Sequence, residues 1–254
     1  LKNSPLPVII QARTGSTRLP GKMLKPFYGK QTIPELIVAE LREHLPDAEL
    51  VLATSINPND DALVAMAEGL GIKTFRGSED NVLQRFISCA DHFGFQAFLR
   101  VCADNPFLCG KYAAFLATHF PHRDFDYFSF VLEDGTPVIR SHFGFFCEGV
   151  TLRALKKAAS MSNDKFYTEH VTNFIYANSD HFNVIFTPVP TVLKGRRDIR
   201  LTIDTAADFE DVAMLYSKYR DSGLPLTAES ICKFLEQFPE QRHRMEATIK
   251  DTNK

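Results

Sequence analysis

The sequence predicts an α/β protein, a mostly parallel sheet flanked by helices with a mixed or antiparallel lobe inserted into it. Three observations predict it. From the N-terminus to Ala103, short apolar runs alternate with longer stretches in which apolar residues recur at helical spacing, the pattern of successive βα units. Beyond Phe120 the rhythm changes to aromatic-rich segments around a turn at "EDGTP" (133–137). The final third returns to apolar runs that lead into helical stretches.

Each element follows from its own residues. "PVII" (7–10), "ELVLATS" (49–55), "KTFR" (73–76) and "AFLRVCA" (97–103) are short, apolar and bounded by polar turns, and read as strands. "IPELIVAELREHL" (33–45), "DALVAMAEGLG" (61–71) and "NVLQRFISCADHFG" (81–94) read as helices, two of them ending in Gly. The lobe, about residues 121–195, holds a strand at "DYFSF" (126–130) and helices within "FGFFCEGVTLRALKKAA" and "FYTEHVTNFIYAN". It is expected to continue the sheet within a single domain, 1–254. "FNVIFTPVP" and "IRLTID" return as strands, followed by the helices "ADFEDVAMLYSKYR" and "AESICKFLEQF" and a polar tail from Pro239, frayed or helical.

Composition narrows the function classes. The chain has 254 residues, 44% of them hydrophobic, with 22 Phe and no Trp, and no apolar run nears the roughly 20 residues that span a bilayer, so no membrane partner is expected. A formal net charge of -2 argues against a general nucleic-acid binder. Charge is nevertheless uneven: the first acidic residue is Glu35, preceded by Lys2, Arg13, Arg18, Lys22, Lys25 and Lys30. That is a local anion site in a near-neutral protein. Cys89, Cys102, Cys109, Cys147 and Cys232 are odd in number and lack CxxC spacing, which suits reduced thiols in a cytoplasmic protein without zinc. No secretory leader is read at the N-terminus.

The anion site has an address. In parallel sheets ligands bind beyond the carboxyl ends of the strands, and "IIQARTGSTRLPGKML" (9–24) leaves the first strand there. Gly15 and Gly21 free backbone N–H groups, Ser16 and Thr17 add hydroxyls, and Arg13, Arg18 and Lys22 add charge, a combination suited to phosphate. The spacing is not that of a Walker A loop. A solvated basic turn is the alternative.

The same stretch closely resembles the N-terminal signature of the sugar-acid cytidylyltransferases, the family of the CMP-KDO and CMP-sialate synthetases, especially the branch similar to spore-coat polysaccharide biosynthesis protein F. Four further segments resemble that family in the same order: "FRGSEDNVLQRF" (75–86) its nucleotide pocket, "RVCADNPF" (100–107) its central metal segment, "YTEHVTNFIY" (167–176) its substrate-lobe helix and "RLTIDTAADFEDV" (200–212) its C-terminal metal segment. Ala103 and Ala206-Ala207 depart from the usual Gly and Pro-Glu. The resemblance implies a nucleotide-binding fold, CTP as co-substrate, Mg²⁺ as cofactor and often a homodimer made through the lobe.

Nucleotidyl transfer asks an acceptor oxygen to attack the α-phosphorus while pyrophosphate leaves, so the protein must position reactants and neutralise charge. On the resemblance, Ala12, Arg13, Gly15, Ser16, Arg18 and Lys22 bind the nucleotide, with Arg13 and Lys22 as the catalytic cations. Gly77, Ser78 and Asn81 lie near base or ribose, and Arg85 joins them or packs as a helix-surface cation. Asp104 and Asp204, each after an apolar run, are the Mg²⁺ ligands or, alternatively, helix N-caps. Glu169, His170, Arg196 and Arg200 contact the acceptor, Arg matching a carboxylate, with His170 as general base or lobe organiser. The DxD in "RDFDYF" (123–128) reads as an alternating strand rather than a glycosyltransferase motif. The expected function is Mg²⁺-dependent transfer of CMP from CTP to a sugar acid or related sugar derivative for surface polysaccharide synthesis. Another nucleotide, a sugar-phosphate acceptor, or a non-catalytic nucleotide-binding protein of the same fold are the alternatives.

Overall fold

The chain is described from a computed structural model covering residues 5–119 and 124–252; Lys2 and residues 121–123, where the lobe begins, lie outside the described residues. Strands β1 (Val8–Gln11), β2 (Leu50–Ser55), β3 (Lys73–Gly77), β4 (Ala97–Cys102), β5 (Tyr127–Val131), β6 (Glu148–Thr151) and β7 (Val184–Pro188) form one sheet in the order β3-β2-β1-β4-β6-β5-β7. β6 alone runs against its neighbours, while the other pairings are parallel. The lobe strands therefore extend the parallel half through one antiparallel step.

The five inner strands are buried on both faces, which explains why they read as continuous apolar runs. Val8, Ile10, Leu52, Leu99 and Val101 join one core cluster, while Ile9, Val51, Ala53 and Phe98 join the other. This is the two-residue period of a strand. The first cluster is covered by α1 (Ile33–His44), α2 (Asp61–Gly69), α4 (Gly110–His119), α8 (Ala206–Asp221) and α9 (Ala228–Leu235), and the second by α3 (Val82–Phe93), α5 (Leu152–Met161) and α7 (Asn173–Ala177). Capping sets several helix starts. Glu35 accepts from the Thr32 backbone and hydroxyl ahead of α1, and Asn81 accepts from Gln84 N–H ahead of α3. Gly94, at φ 74°, ends α3. The polar tail is α10 (Pro239–Thr252).

Three expectations are corrected. "IRLTID" is extended but joins no sheet: Leu201 N–H bonds to the His142 carbonyl at 2.9 Å and Ile203 N–H to the Asp104 carbonyl at 3.0 Å. Ile199, Leu201 and Ile203 alternate with Arg200, Thr202 and Asp204 at strand-like period two, but all six are buried and the backbone partners are two different loops. "FYTEHVTNFIYAN" is two short helices, α6 (Lys165–Glu169) and α7, because Thr172 turns its hydroxyl to the buried Glu148 carboxylate, at 3.0 Å, and leaves α7 without a side-chain cap. "FGFFCEGVTL" supplies β6 before α5, whose start is fixed by Thr151 Oγ1 accepting from Ala154 N–H. The DxD acids are structural. Asp126 is buried and accepts from Asn183 N–H at 3.0 Å, and both Asp124 and Asp126 pair with Arg153.

Gly144 carries the extended segment. Its φ is 71°, and a Cβ there would stand 3.2 Å from the Leu201 carbonyl oxygen. Gly144→Ala is expected to lose about 1–2 kcal/mol from the left-handed backbone alone, more if Leu201 cannot retreat. Urea unfolding of the variant checks this; unchanged stability would mean the backbone can adopt another conformation there.

Candidate active site

The loop leaving β1 is folded around one carbonyl. Thr14 O accepts from Ser16 N–H at 2.8 Å and Gly21 N–H at 3.0 Å. The Gly21 N–H expected to face phosphate is therefore spent inside the loop, and at φ 70° this glycine instead starts the short helical turn Lys22–Leu24. Asp60 anchors the same loop. Its Oδ1 accepts from Thr14 N–H at 2.8 Å and Thr14 Oγ1 at 2.6 Å, while its Oδ2 takes Thr54 Oγ1 (2.8 Å), Ser55 N–H (3.0 Å) and Ser55 Oγ (2.5 Å). Burial pushes this carboxyl up, but the donors of Ser55, Thr14 and Thr54 outweigh it and hold Asp60 at about 2.

Above the strand ends lies a cavity of about 490 Å³. Ala12, Arg13, Ser16, Arg18 and Lys22 form one wall, beside Asp104 and Asp204. Lys22 is buried; its Nζ donates to the Ile203 carbonyl at 2.5 Å and lies 3.6 Å from the Asp104 carboxylate. Arg18 reaches Asp204 at 2.8 Å from the solvent side, and Arg200 reaches it at 2.9 Å from the core. Behind them, Asp208 accepts from Arg200, from Asp204 N–H (3.0 Å) and from Thr205 N–H (2.8 Å). Burial works against the Asp208 carboxylate, yet Arg200 and these N–H donors hold it at about 2. Cations thus balance both cavity carboxylates.

The facing wall comes from the lobe and the sheet floor. Arg100 on β4 donates to Glu148 on β6 at 2.6 Å and to Gln11 at 3.1 Å. Glu148, fully buried, also accepts from Thr172 and Tyr127. Arg140, Glu169, His170 and Asn173 line the outer part, with the half-exposed ring of Phe166. Among the described residues, Arg140 and Glu169 form no ion pair.

Several sequence expectations meet here and others do not. Arg13, Ser16, Arg18, Lys22, Asp104, Asp204, Glu169 and His170 line one cavity. The capping alternative for the two aspartates is overturned: Thr205 caps α8, and α4 begins only at Gly110. Gly15, Gly77, Ser78 and Asn81 lie off the cavity wall. Gly15 packs against Glu79, whose Oε1 a Cβ would meet at 2.9 Å, and Ser78 and Asn81 build the start of α3. They touch the loop through Arg13, which donates to the Glu79 carbonyl at 3.1 Å. Arg85 is no surface cation. It is fully buried and donates to the Ser78 carbonyl at 2.7 Å, and burial together with the nearby Arg13 charge lowers it to about 10. The acceptor assignment of Arg196 and Arg200 is corrected: Arg196 is paired to Asp198 at 2.7 Å beside a separate groove, and Arg200 is buried behind Asp204. Asp60, Arg140 and Asn173 were missed. Asp60 carried a usable signal, an acid opening a helix just after a strand end, whereas nothing in "PVIR" or "VTNF" distinguishes the other two.

With this geometry in hand, residues 7–243 match the family described as Cytidylyltransferase. The chain belongs to that family. This cytidylyltransferase is an enzyme of the nucleotidyltransferase type, and its mixed sheet flanked by helices is that fold. It is 31% identical over 245 residues to the spore coat polysaccharide biosynthesis protein SpsF of Bacillus subtilis, covering 94% of this chain and 97% of the relative. It is similar to the structure of a cytidylyltransferase from Leptospira borgpetersenii, with a TM-score of 0.81, 24% identity and 94% and 97% of the two chains covered. It also shares the fold of a CMP:2-keto-3-deoxy-manno-octonic acid synthetase complexed with CTP, with a TM-score of 0.63, 15% identity and 85% and 99% covered.

The Asp60 carboxylate gives a pH test. Because its folded value, about 2, lies below the usual 3.8, its contribution is fully present above about pH 4 and is lost as pH falls through 2; a shift of this size corresponds to about 2 kcal/mol. Asp60→Asn is expected to unfold at lower urea at pH 7, with the gap to wild type closing between pH 4 and pH 2. A gap independent of pH would show that the charge is not what anchors the loop.

Proposed function

We propose that this cytidylyltransferase transfers CMP from CTP to an acidic sugar or related sugar derivative, with a divalent cation, and releases pyrophosphate in a cytoplasmic step of surface polysaccharide synthesis. The observation that carries the reading is the cavity itself, where the cationic loop, two carboxylates and the uncommitted Arg140 and Glu169 surround one volume. The SpsF likeness supports polysaccharide synthesis, and the CTP complex of the structural relative supports the nucleotide. All five cysteines are free thiols, as a reducing compartment requires.

Asp104 and Asp204 fit a hard divalent cation, since both bring carboxylate oxygens to the cavity, and the ion would take the place that the exposed Arg18 side chain holds against Asp204. When bound there, Mg²⁺ would draw charge from the transferred phosphoryl group. Lys22, fixed by the Ile203 carbonyl, needs no reorganisation to stabilise the departing pyrophosphate. Arg13, steadied by the Glu79 carbonyl, reaches the triphosphate from the side. Across the cavity Arg140 takes the acceptor's carboxylate, and Glu169 accepts from its hydroxyls.

A pyrophosphate-release screen of four nucleoside triphosphates against a panel of sugar acids tests the reading. CTP is expected to be preferred; UTP binding tenfold tighter, about 1.4 kcal/mol, would overturn it. Asp104→Asn and Asp204→Asn are each expected to weaken Mg²⁺ activation, and the double variant to cost much less than the sum because the site is already broken. Strict additivity would separate the two carboxylates. Lys22→Ala should lower turnover on the order of 10²-fold and, because the side chain is buried against a carbonyl, also reduce stability by about 1–3 kcal/mol. Near-wild-type turnover in a folded variant removes the role.

A further inference from the structure

The outer wall of the cavity presents an aromatic ring that the fold leaves half open. Phe166 is 52% exposed, one of four large apolar residues left exposed among the described residues, and unlike Ile56, Met161 and Leu224 it lines the cavity. Helix geometry places it there. Positions three and four apart share one face of a helix, and on α6 it is Phe166, Glu169 and the adjoining His170 that line the cavity, while Lys165, Tyr167 and Thr168 do not. The Phe166 N–H donates to Asp164 at 2.8 Å and its carbonyl accepts from His170 N–H at 2.9 Å. Its backbone is spent within the turn, so what stays open is the ring. The rings beside it are those of Tyr167, edge-on at 5.4 Å, and His170, tilted at 4.7 Å.

A ligand that covered this ring would remove apolar surface from water, as ligands do against the aromatic linings of pockets. Which ligand is restricted by the neighbours. Arg140 and Glu169 stand on the same wall without an ion pair. A triphosphate would be repelled by Glu169, and a neutral base would leave both charges unanswered. A sugar acid answers all three groups at once. Its carboxylate suits Arg140 and its hydroxyls donate to Glu169, while the C–H bonds on one side of the sugar, slightly positive, suit the electron-rich face of an aromatic ring.

We propose that Phe166 is a specificity-determining residue, its ring a platform for the C–H face of the acceptor, so that the enzyme favours sugar acids in which that face is uninterrupted by hydroxyls. The inference rests on the functional reading above and adds one residue to it. Covering roughly 50 Å² of apolar surface corresponds to about tenfold in affinity.

The test measures KM for CTP and for each member of a panel of sugar acids, 2-keto-3-deoxy-manno-octonic acid and a sialic acid among them, in wild type, Phe166→Ala and Phe166→Tyr. Phe166→Ala is expected to raise KM about tenfold for the acid that wild type uses best, to flatten the preference across the panel and to leave KM for CTP within about twofold; Phe166→Tyr keeps wild-type values. Because the chain contains no Trp, Phe166→Trp places a single indole at this position. Its emission is expected to shift to the blue when the best acid is added with CTP, EDTA being present to prevent turnover, and to stay unchanged with CTP alone. An unchanged KM for the best acid in Phe166→Ala, or a rise shared equally by every acid, would overturn the proposal. A response to CTP alone would assign the ring to the nucleotide and overturn it too, as would Phe166→Ala melting well below wild type, since an exposed ring with no part in the fold leaves stability nearly unchanged. Failure of wild type to release pyrophosphate from CTP with any acid would sink the functional reading together with this one, whereas wild-type turnover with an unaffected Phe166→Ala sinks this one alone.

Discussion

Everything around the cavity depends on the register between β4 and β6, where Arg100 stands opposite Glu148. A buried ion pair adds little net stability over an apolar pair of the same shape, but leaving one member unpaired is costly. A one-residue slip of β6 would turn Glu148 to the other face of the sheet, so the pair selects one alignment of the antiparallel step. The same carboxylate accepts from Tyr127 and Thr172. Burial and Glu148 push the Tyr127 hydroxyl well above its ordinary value, so it remains a donor. Through Glu148, β5 and the turn between α6 and α7 share the alignment, and through Gln11 Arg100 passes it to the end of β1.

A second device orders the wall of the cavity built by the loop after β1. Asp60 ties the loop to the end of β2, Arg200 and Asp208 brace Asp204 from behind, and Lys22 is fixed by a backbone carbonyl. These contacts order charged groups before any ligand arrives. Preorganised charge acts without reorientation cost at the moment of reaction, which is where electrostatic catalysis gains most. Arg18, with its side chain 58% exposed against 8% for Lys22, is the exposed member of the set.

The first four strands and the three helices between them were legible because short apolar runs alternate there with apolar residues at helical spacing. The loop 9–24 was legible because charge, glycine and hydroxyls concentrate in one stretch. Side-chain periodicity failed where backbone partners decide: residues 199–204 alternate like a strand yet bond to loops, and Thr172 breaks a helix by turning to a carboxylate distant in sequence. Charge alone could not rank the arginines. Arg196 and Arg200 lie in a basic run, but their partners, Asp198 and Asp208, neutralise them, while Arg140 stands alone in sequence and opens onto the cavity. Pairing is a property of the fold, and no count of cations anticipates it.

Arg140 and Glu169 are exposed and, among the described residues, form no ion pair, unlike Lys22, Arg100 and Arg200. Substitutions at exposed positions away from such contacts usually change stability by less than about 0.5 kcal/mol. Evolution can therefore redraw the outer wall while the buried frame stays intact. The fold thus separates a buried frame from an outer cavity wall whose charges can be exchanged without repairing the core.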